Sequence, residues 1–255
     1  MDKPFKTIDE QLEILKSRGM ILTDENKTRE YLLYHNYYNV INRHGRFLLA
    51  EDKQYVENCT FDEVLAIRHF DAEVKDILLR AILEVENYFK SVLTYVFSEI
   101  HKDEKQPYLV LNSYTPAKDA KKSKEIVEFI ASMKKIIDKY SRHQSMNSIK
   151  HYCINHDDIP FWVFSDYMSF GQLVTMYYLL PVKNQNTIAK YFSLRAYNCL
   201  RISEESFKIF PSDLYRIIGA IKDVRNILAH NNMIYYYTTR NSLPYFEEIT
   251  SYARY

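Results

Sequence analysis

Residues 60–96 read TFDEVLAIRHFDAEVKDILLRAILEVENYFKSVLTYV and predict one long amphipathic helix. Thr60-Phe61-Asp62-Glu63 has the form of a capping box, in which a threonine hydroxyl and a glutamate satisfy unpaired backbone amides at a helix start. Apolar residues then recur at steps of three and four, which places them on one helical stripe. They are Ile67, Phe70, Val74, Ile77, Ala81, Val85, Tyr88, Val92 and Val96. We expect a helix of about ten turns at the centre of the fold.

Helix signals also precede this segment. A second capping box, Thr7-Ile8-Asp9-Glu10, predicts a helix that stops at Gly19, where glycine can adopt the left-handed cap conformation. Another helix is expected from about Thr23 to Tyr34. The N-terminal part, residues 1–58, is therefore predicted to be helical.

Proline and cap residues mark the later elements. Pro160 predicts the start of a nearly continuous apolar helix that ends near Pro181, and shorter helices are expected over residues 184–192 and 196–207. Pro211, followed by Ser212 and Asp213, is well placed to open the last helix. The tail at 233–239 is rich in strand formers, which favours a short strand or an extended segment.

Composition supports an all-α fold. The chain has 255 residues but only 4 glycines, which argues against dinucleotide-binding loops, phosphate loops and tightly turned barrels. We predict a single helical domain over residues 1–255, with a basic insert or flap at 116–156.

Hydropathy and cysteine usage predict a soluble cytoplasmic protein. Hydrophobic residues make up 47% of the chain, yet no stretch approaches the roughly 20 apolar residues of a membrane span. The first six residues lack the apolar run of a secretory signal. The 3 cysteines are far apart and lack metal-ligand spacing, so we expect no disulfide framework, no metal site and no cofactor.

Positive charge is concentrated in one segment. Residues 116–152 contain nine lysines and arginines against four acids, although the whole chain has a net charge of only +1. Attraction to phosphate explains such an imbalance, and a solvated loop is the alternative. Lys121, Lys122 and Lys124 are therefore predicted to be exposed contacts for RNA. A second basic and aromatic surface is expected around Tyr37, Arg43 and Arg46.

The last helix carries the candidate chemistry. At about 100° per residue, Ile217, Ile221, Val224 and Leu228 share one face, which we predict to be buried. Asn226 and His230 lie together on nearly the opposite face, with Lys222 beside them as a further candidate contact for RNA, and Arg225 lies at the border.

Arginine and histidine suit metal-independent RNA cleavage. Histidine exchanges protons near neutral pH, and arginine offers a fixed cation for phosphate charge. Structural roles are the alternative, because a helix C-terminus favours charged histidine and arginine commonly reaches solvent from a core border. Residues five apart also differ by about 140° around a helix. Convergence of Arg225 and His230 therefore requires the helix to loosen near Ala229, or a second copy of the chain.

Several blocks resemble one bacterial family. Arg225-Asn226-x-x-x-His230, late in the final core helix, resembles the RNA-cleaving motif of HEPN domains. Other blocks are similar to the Abi-like abortive infection family of phage-resistance proteins. They are Lys3-Pro4-Phe5 with Gln11, Leu15 and Gly19; Asn36-Tyr37-Tyr38; Val85-Glu86; and Pro160-x-Trp162 leading to Ser169-Phe170-Gly171. Asn231 and Asp166 depart from the family pattern.

The resemblance implies a HEPN-like helical bundle and a homodimer whose motif helices face each other. It also implies metal-independent RNA cleavage in which His230 is the acid and base, Arg225 stabilises phosphate charge and Asn226 positions one of them. Glu86 matches an acidic position of the family and is thereby a further candidate residue of the catalytic site. A structured noncoding RNA is an implied regulator.

Two functions follow as hypotheses. The first is an endoribonuclease effector or toxin of an abortive-infection system, which intact Arg225 and His230 favour. The alternative is a non-catalytic HEPN-type scaffold or sensor that binds RNA or a protein. Expression with and without His230→Ala would discriminate between them.

Overall fold

A computed structural model describes residues 4–116, 120–201, 207–229, 233–239 and 242–246. The chain forms two compact units: unit 1 is residues 1–80 with 227–237, and unit 2 is residues 81–226 with 238–255. The described residues confirm the all-α class. The helices are α1 (Ile8–Ser17), α2 (Glu25–His35), α3 (Phe61–Ile100), α4 (Ala120–Ser141), α5 (Ser148–Asn155), α6 (Phe161–Phe164), α7 (Phe170–Leu179), α8 (Val182–Leu200) and α9 (Pro211–Ala229).

Unit 1 begins as the capping signals predict. The Thr7 hydroxyl accepts from the Glu10 amide and the Glu10 carboxylate accepts from the Thr7 amide, which confirms the capping box. After α1, Gly19 adopts a φ of 84°, a conformation that glycine tolerates without strain. Asp24 caps α2, so this helix starts slightly later than expected. Leu12, Leu15, Leu32, Val40, Ile41 and Val64 are among the buried residues of the core.

A buried polar cluster lies beside this core. His44 and Asp71 are 5% and 2% exposed, and His44 Nε2 lies 3.4 Å from Asp71 Oδ2. The Lys75 ammonium lies 2.5 Å from the same carboxylate oxygen. Compensation of the Asp71 charge by Lys75 makes its burial tolerable, because an isolated buried carboxylate is costly. The sequence pattern had not singled out this cluster.

Helix α3 is the long predicted helix, with 40 residues. The Thr60 hydroxyl accepts from the Glu63 amide, and Glu63 accepts from the Thr60 amide, so this capping box is also confirmed. The single apolar stripe is correct only in part. Val92 and Val96 are buried, but Phe70 and Ile77 are 61% and 63% exposed. Different positions are buried along α3 because its residues contribute to two separate cores.

Unit 2 has the larger core. The second half of α3 contributes Phe89, Leu93 and Phe97, and α7 contributes Leu173 and Tyr177. The basic segment forms α4, whose Ile126, Phe129 and Met133 are buried in this core. The basic segment thus contains an amphipathic helix whose apolar side packs into the core of unit 2.

Three predicted element boundaries need correction. The expected continuous helix after Pro160 is divided, because Ser169 and Gln172 form a capping box that starts α7 afresh. The two short helices expected over 184–192 and 196–207 form one helix, α8, as far as Leu200, since no glycine or proline separates them; residues 202–206 lie outside the described part. In the tail, Ile234–Tyr236 form a 3-10 turn, and no strand is present in the described residues.

Candidate functional site

Arg225 lies on the core-facing side of α9. The helix buries Leu214 and Ile218, and Arg225 follows Ile218 by two helical turns, which returns it to the same side. The predicted buried face is correct in part, because Leu228 is buried, whereas Ile217, Ile221 and Val224 are only partly buried. Arg225 therefore points towards the neighbouring helix α3, whereas the sequence pattern placed it at the border.

Glu86 occupies the matching side of α3. It is followed two turns later by the buried Leu93 and preceded by the buried Ile82, so its position on the helix faces the core of unit 2. Its side chain is 17% exposed. A carboxylate at such a position needs a cation nearby, because an isolated buried charge is costly.

Arg225 supplies this cation. Its Nε atom lies 3.5 Å from Glu86 Oε2, and both atoms are buried without a hydrogen-bond partner in the described part of the chain. The contact is thus an ion pair whose geometry leaves hydrogen-bonding capacity unused. The Arg225 side chain is 37% exposed, so it is both paired with an acid and accessible to a ligand.

Lys222 and Asn226 lie on the same helix. Lys222 pairs with Asp223 at 3.2 Å, and its Cδ atom approaches Gly171, at 3.9 Å from the position that a Cβ there would take. A larger residue at Gly171 would therefore contact Lys222. Asn226 is exposed, as expected for the face opposite the core.

His230, like Asn231, lies outside the described residues, and α9 is described through Ala229. The structure thus brings Arg225 and Glu86 together, while the convergence of Arg225 and His230, through a loosened helix end or a second copy of the chain, stays a prediction.

The lysines of the basic segment differ in their surroundings. Lys121 is exposed, and Lys124 has a 75% exposed side chain that lies 3.7 Å from Glu128. The Lys122 side chain is only 18% exposed, and its ammonium lies 3.6 Å from the centre of the Tyr178 ring. The prediction of exposure is therefore wrong for Lys122, because a cation–π contact holds its side chain against the Tyr178 ring and shields it from solvent.

The second basic surface belongs to unit 1. Arg43 is partly buried, Arg46 is exposed, and both interact with other groups of the chain. Tyr37 is partly buried, and burial raises the pKa of its hydroxyl. Tyr235 contacts the rings of Phe47 and Phe70, which adds aromatic groups that the sequence pattern had not connected with this region.

Sequence reasoning also missed a groove in unit 2. One turn after Glu86, the Lys90 ammonium lies 2.8 Å from the Asp166 carboxylate. This ion pair lines an open cavity of about 560 Å³, together with hydroxyl and aromatic side chains that include Thr94 and Trp162. Serine and threonine on a helix resemble ordinary surface residues in a sequence, so only the packing of α3 against residues 162–166 reveals the groove.

Two further properties concern metal ions and membranes. Within the described ranges, no three His, Cys, Asp or Glu side chains gather into a group able to hold a metal ion. Within those ranges too, none of the helices has both the length and the apolar character needed to cross a lipid bilayer.

Comparison with known proteins assigns the family. No curated protein and no solved structure matches the chain. A family model described as Abi-like protein matches residues 30–236, a range that contains Glu86, Trp162, Arg225 and His230. Because this match covers most of its length, the chain belongs to the Abi-like protein family.

Proposed function

We propose that this Abi-like protein is an endoribonuclease effector, or toxin, of an abortive-infection system, and that it cleaves RNA without a metal ion. The observation that carries the proposal is the pairing of Arg225 with Glu86, which holds a partly exposed guanidinium at a fixed place. Preorganised cations stabilise charge that develops in a transition state, because they need not reorganise during the reaction. Membership of the family supports the abortive-infection role.

The proposed chemistry is an internal phosphoryl transfer. The ribose 2′-hydroxyl attacks the adjacent phosphorus as the bond from phosphorus to the 5′-oxygen breaks, which leaves a 2′,3′-cyclic phosphate and a 5′-hydroxyl. His230 takes the proton of the 2′-hydroxyl or gives a proton to the leaving oxygen. Arg225 stabilises the negative charge on the phosphate oxygens. In this proposal Asn226, which is exposed on α9, orients one of these groups.

A homodimer is part of the proposal. Arg225 and His230 point about 140° apart on an ideal helix, and a two-fold axis can bring both residues of both chains around one phosphate. The exposed Asn226 face of α9 is the surface that the second subunit would cover.

A non-catalytic scaffold is the competing function. The same ion pair favours it, because a contact between Arg225 and Glu86 can simply join α9 to α3. Cleavage by the purified protein separates the two functions.

RNA cleavage is expected to be undiminished by a chelator, and DNA of the same sequence is expected to remain intact, since it lacks the attacking 2′-hydroxyl. The measurement is gel analysis of labelled RNA and DNA after incubation with purified protein. Identification of a 2′,3′-cyclic phosphate at the new end checks the mechanism. Loss of cleavage in chelator, with recovery on addition of a divalent ion, would contradict the proposed chemistry.

Lys121→Gln with Lys124→Gln is expected to weaken RNA binding and to flatten its salt dependence, because both side chains are exposed and lie in the segment richest in positive charge. If both lysines contact phosphate, the magnitude of the slope of log affinity against log salt falls by about 1.4, since each contact to a single strand contributes about 0.7. Binding of single-stranded RNA at several salt concentrations measures this slope. Lys122 is left unchanged, because its contact with Tyr178 makes it part of the packing.

The matched control is Lys102→Gln with Lys105→Gln, which removes two exposed lysines beside Asp103 and Glu104. An unchanged slope in the Lys121 and Lys124 variant would show that RNA binds elsewhere, and the surface around Tyr37, Arg43 and Arg46 would then be the next candidate.

A further inference from the structure

The groove of unit 2 lies between the second half of α3 and residues 162–166. It is open to solvent and has a volume of about 560 Å³, which lies within the range of roughly 300–1,000 Å³ typical of small-ligand sites. Because α3 rises about 1.5 Å per residue, Lys90 at the groove lies only about 6 Å along the helix from Glu86. The groove is therefore a near neighbour of the ion pair between Glu86 and Arg225.

Two aromatic side chains line this groove. Trp162 is 61% exposed, whereas Phe161 and Phe164 of the same short helix are buried in the core. Tyr95 is 54% exposed, and its hydroxyl donates to Glu99 at 3.2 Å. Exposed flat rings at a groove are suited to stack against another flat ring.

Two hydroxyl groups of the groove lack partners. Thr94 is 9% exposed, and its Oγ1 atom is buried without a hydrogen-bond partner in the described chain. Ser98, one turn later on α3, also has a buried Oγ atom without a hydrogen-bond partner in the described chain. Buried polar groups are usually satisfied, so two unsatisfied hydroxyls at one cavity indicate a ligand with polar edges. An apolar partner helix would leave both of them unpaired.

The ion pair between Lys90 and Asp166 completes the groove. The Lys90 side chain is 29% exposed, so its ammonium can approach an anionic group while it contacts Asp166. A flat ring, polar edges and a nearby anion are together the properties of a nucleotide. Serine and threonine hydroxyls both donate and accept hydrogen bonds, so they can pair with the edge of any base.

We propose that this groove binds one nucleobase of the RNA strand whose phosphate lies at Arg225, with the base stacked on Trp162 and hydrogen-bonded by Thr94 and Ser98. The proposal rests on the proposed ribonuclease function and extends it, because the groove then selects the nucleotide next to the cleaved bond. The phosphate of that nucleotide lies near Lys90.

Nucleotide binding can be measured without any cleavage. Trp162 is the only tryptophan of the chain, so selectively excited tryptophan fluorescence reports on this groove alone. Titration of the full chain with each of the four nucleoside 5′-monophosphates is expected to quench this fluorescence to saturation, with different affinities for different bases. Thr94→Val, which keeps the side-chain shape, is expected to weaken binding about two- to tenfold, and so is Ser98→Ala.

Thr187→Val is the matched control, because the Thr187 hydroxyl donates to the Lys183 carbonyl at 3.2 Å on α8 and does not line the groove. Its nucleotide affinity should equal that of the unmodified chain. Absence of saturable quenching, or equal affinities in the Thr94 variant and the control, overturns the proposal. Tryptophan emission that depends on protein concentration and not on nucleotide also overturns it, because a second copy then covers Trp162.

Cleavage data separate this proposal from the ribonuclease function. If the chain binds nucleotides through Thr94 but leaves RNA intact, nucleotide binding by the groove is supported and the ribonuclease function is contradicted. The opposite result is cleavage of RNA without nucleotide-dependent quenching, with preferred cleavage sites that Thr94→Val leaves unchanged. This result supports the ribonuclease function and contradicts nucleotide binding by the groove. Support for both is a shift of the preferred cleavage sites in the Thr94 variant.

Discussion

His230→Ala is expected to reduce RNA cleavage by about 10²–10⁴-fold, the usual contribution of a positioned acid and base. The reason is that, in the proposed mechanism, no other group near Arg225 is assigned the transfer of the proton from the 2′-hydroxyl. In bacteria that express the protein, the same substitution is expected to restore growth and the integrity of cellular RNA. Growth curves after induction and total-RNA gels measure both effects.

The matched control for this prediction is His69→Ala, which removes an exposed histidine from unit 1. Expression of the control should arrest growth as the unmodified chain does. If the unmodified chain and the His230 variant give equal growth and equal RNA integrity, the non-catalytic scaffold becomes the better explanation for the ion pair between Arg225 and Glu86.

Local signals predicted the helix starts well. Thr7 and Thr60 each precede a helix, and Pro211 is the first residue of one, because capping and proline effects depend only on neighbouring residues. The burial pattern of α3 was harder to predict, since one stripe assumes one core. Phe61 and Val64 belong to the core of unit 1, whereas Phe89 and Leu93 belong to that of unit 2.

The candidate site was predictable in its residues but not in its contacts. The role of Arg225 was predicted from the chemistry of RNA cleavage, and Glu86 was predicted as a site residue from the family resemblance. Their pairing depends on the packing of α3 against α9, which no local pattern encodes. The groove beside Trp162 depends in the same way on residues distant in sequence, and the partial burial of Lys122 depends on Tyr178 of α7.

Arg225→Ala is expected to reduce RNA cleavage by about 10²–10³-fold, the typical effect of removing one electrostatic stabiliser from a transition state. It is also expected to destabilise the protein, because Glu86 then keeps a largely buried charge without its cation. Partial exposure of Arg225 screens the pair, so we expect a loss of about 1–3 kcal/mol in the free energy of unfolding. Denaturant unfolding and cleavage rates measure the two effects.

A second substitution separates the two roles of Arg225. In the double variant Arg225→Ala with Glu86→Gln, the unpaired charge is removed while the shape of residue 86 is kept. Stability should then recover much of the loss, since a neutral amide is less costly to bury than a carboxylate. Cleavage should stay low. Recovery of cleavage together with stability would show that Arg225 acts only through folding.

Mixing of two inactive variants tests whether the site is shared between subunits. Arg225→Ala and His230→Ala chains each lack one essential group, but a mixed dimer still holds one Arg225 and one His230. If both chains surround one phosphate, a mixture that has been allowed to exchange subunits should regain part of the cleavage, whereas each variant alone should not. A mixture that forms dimers but stays inactive would place both residues of a working site in one chain. The helix would then have to loosen after Ala229 to overcome the angle of about 140° between them.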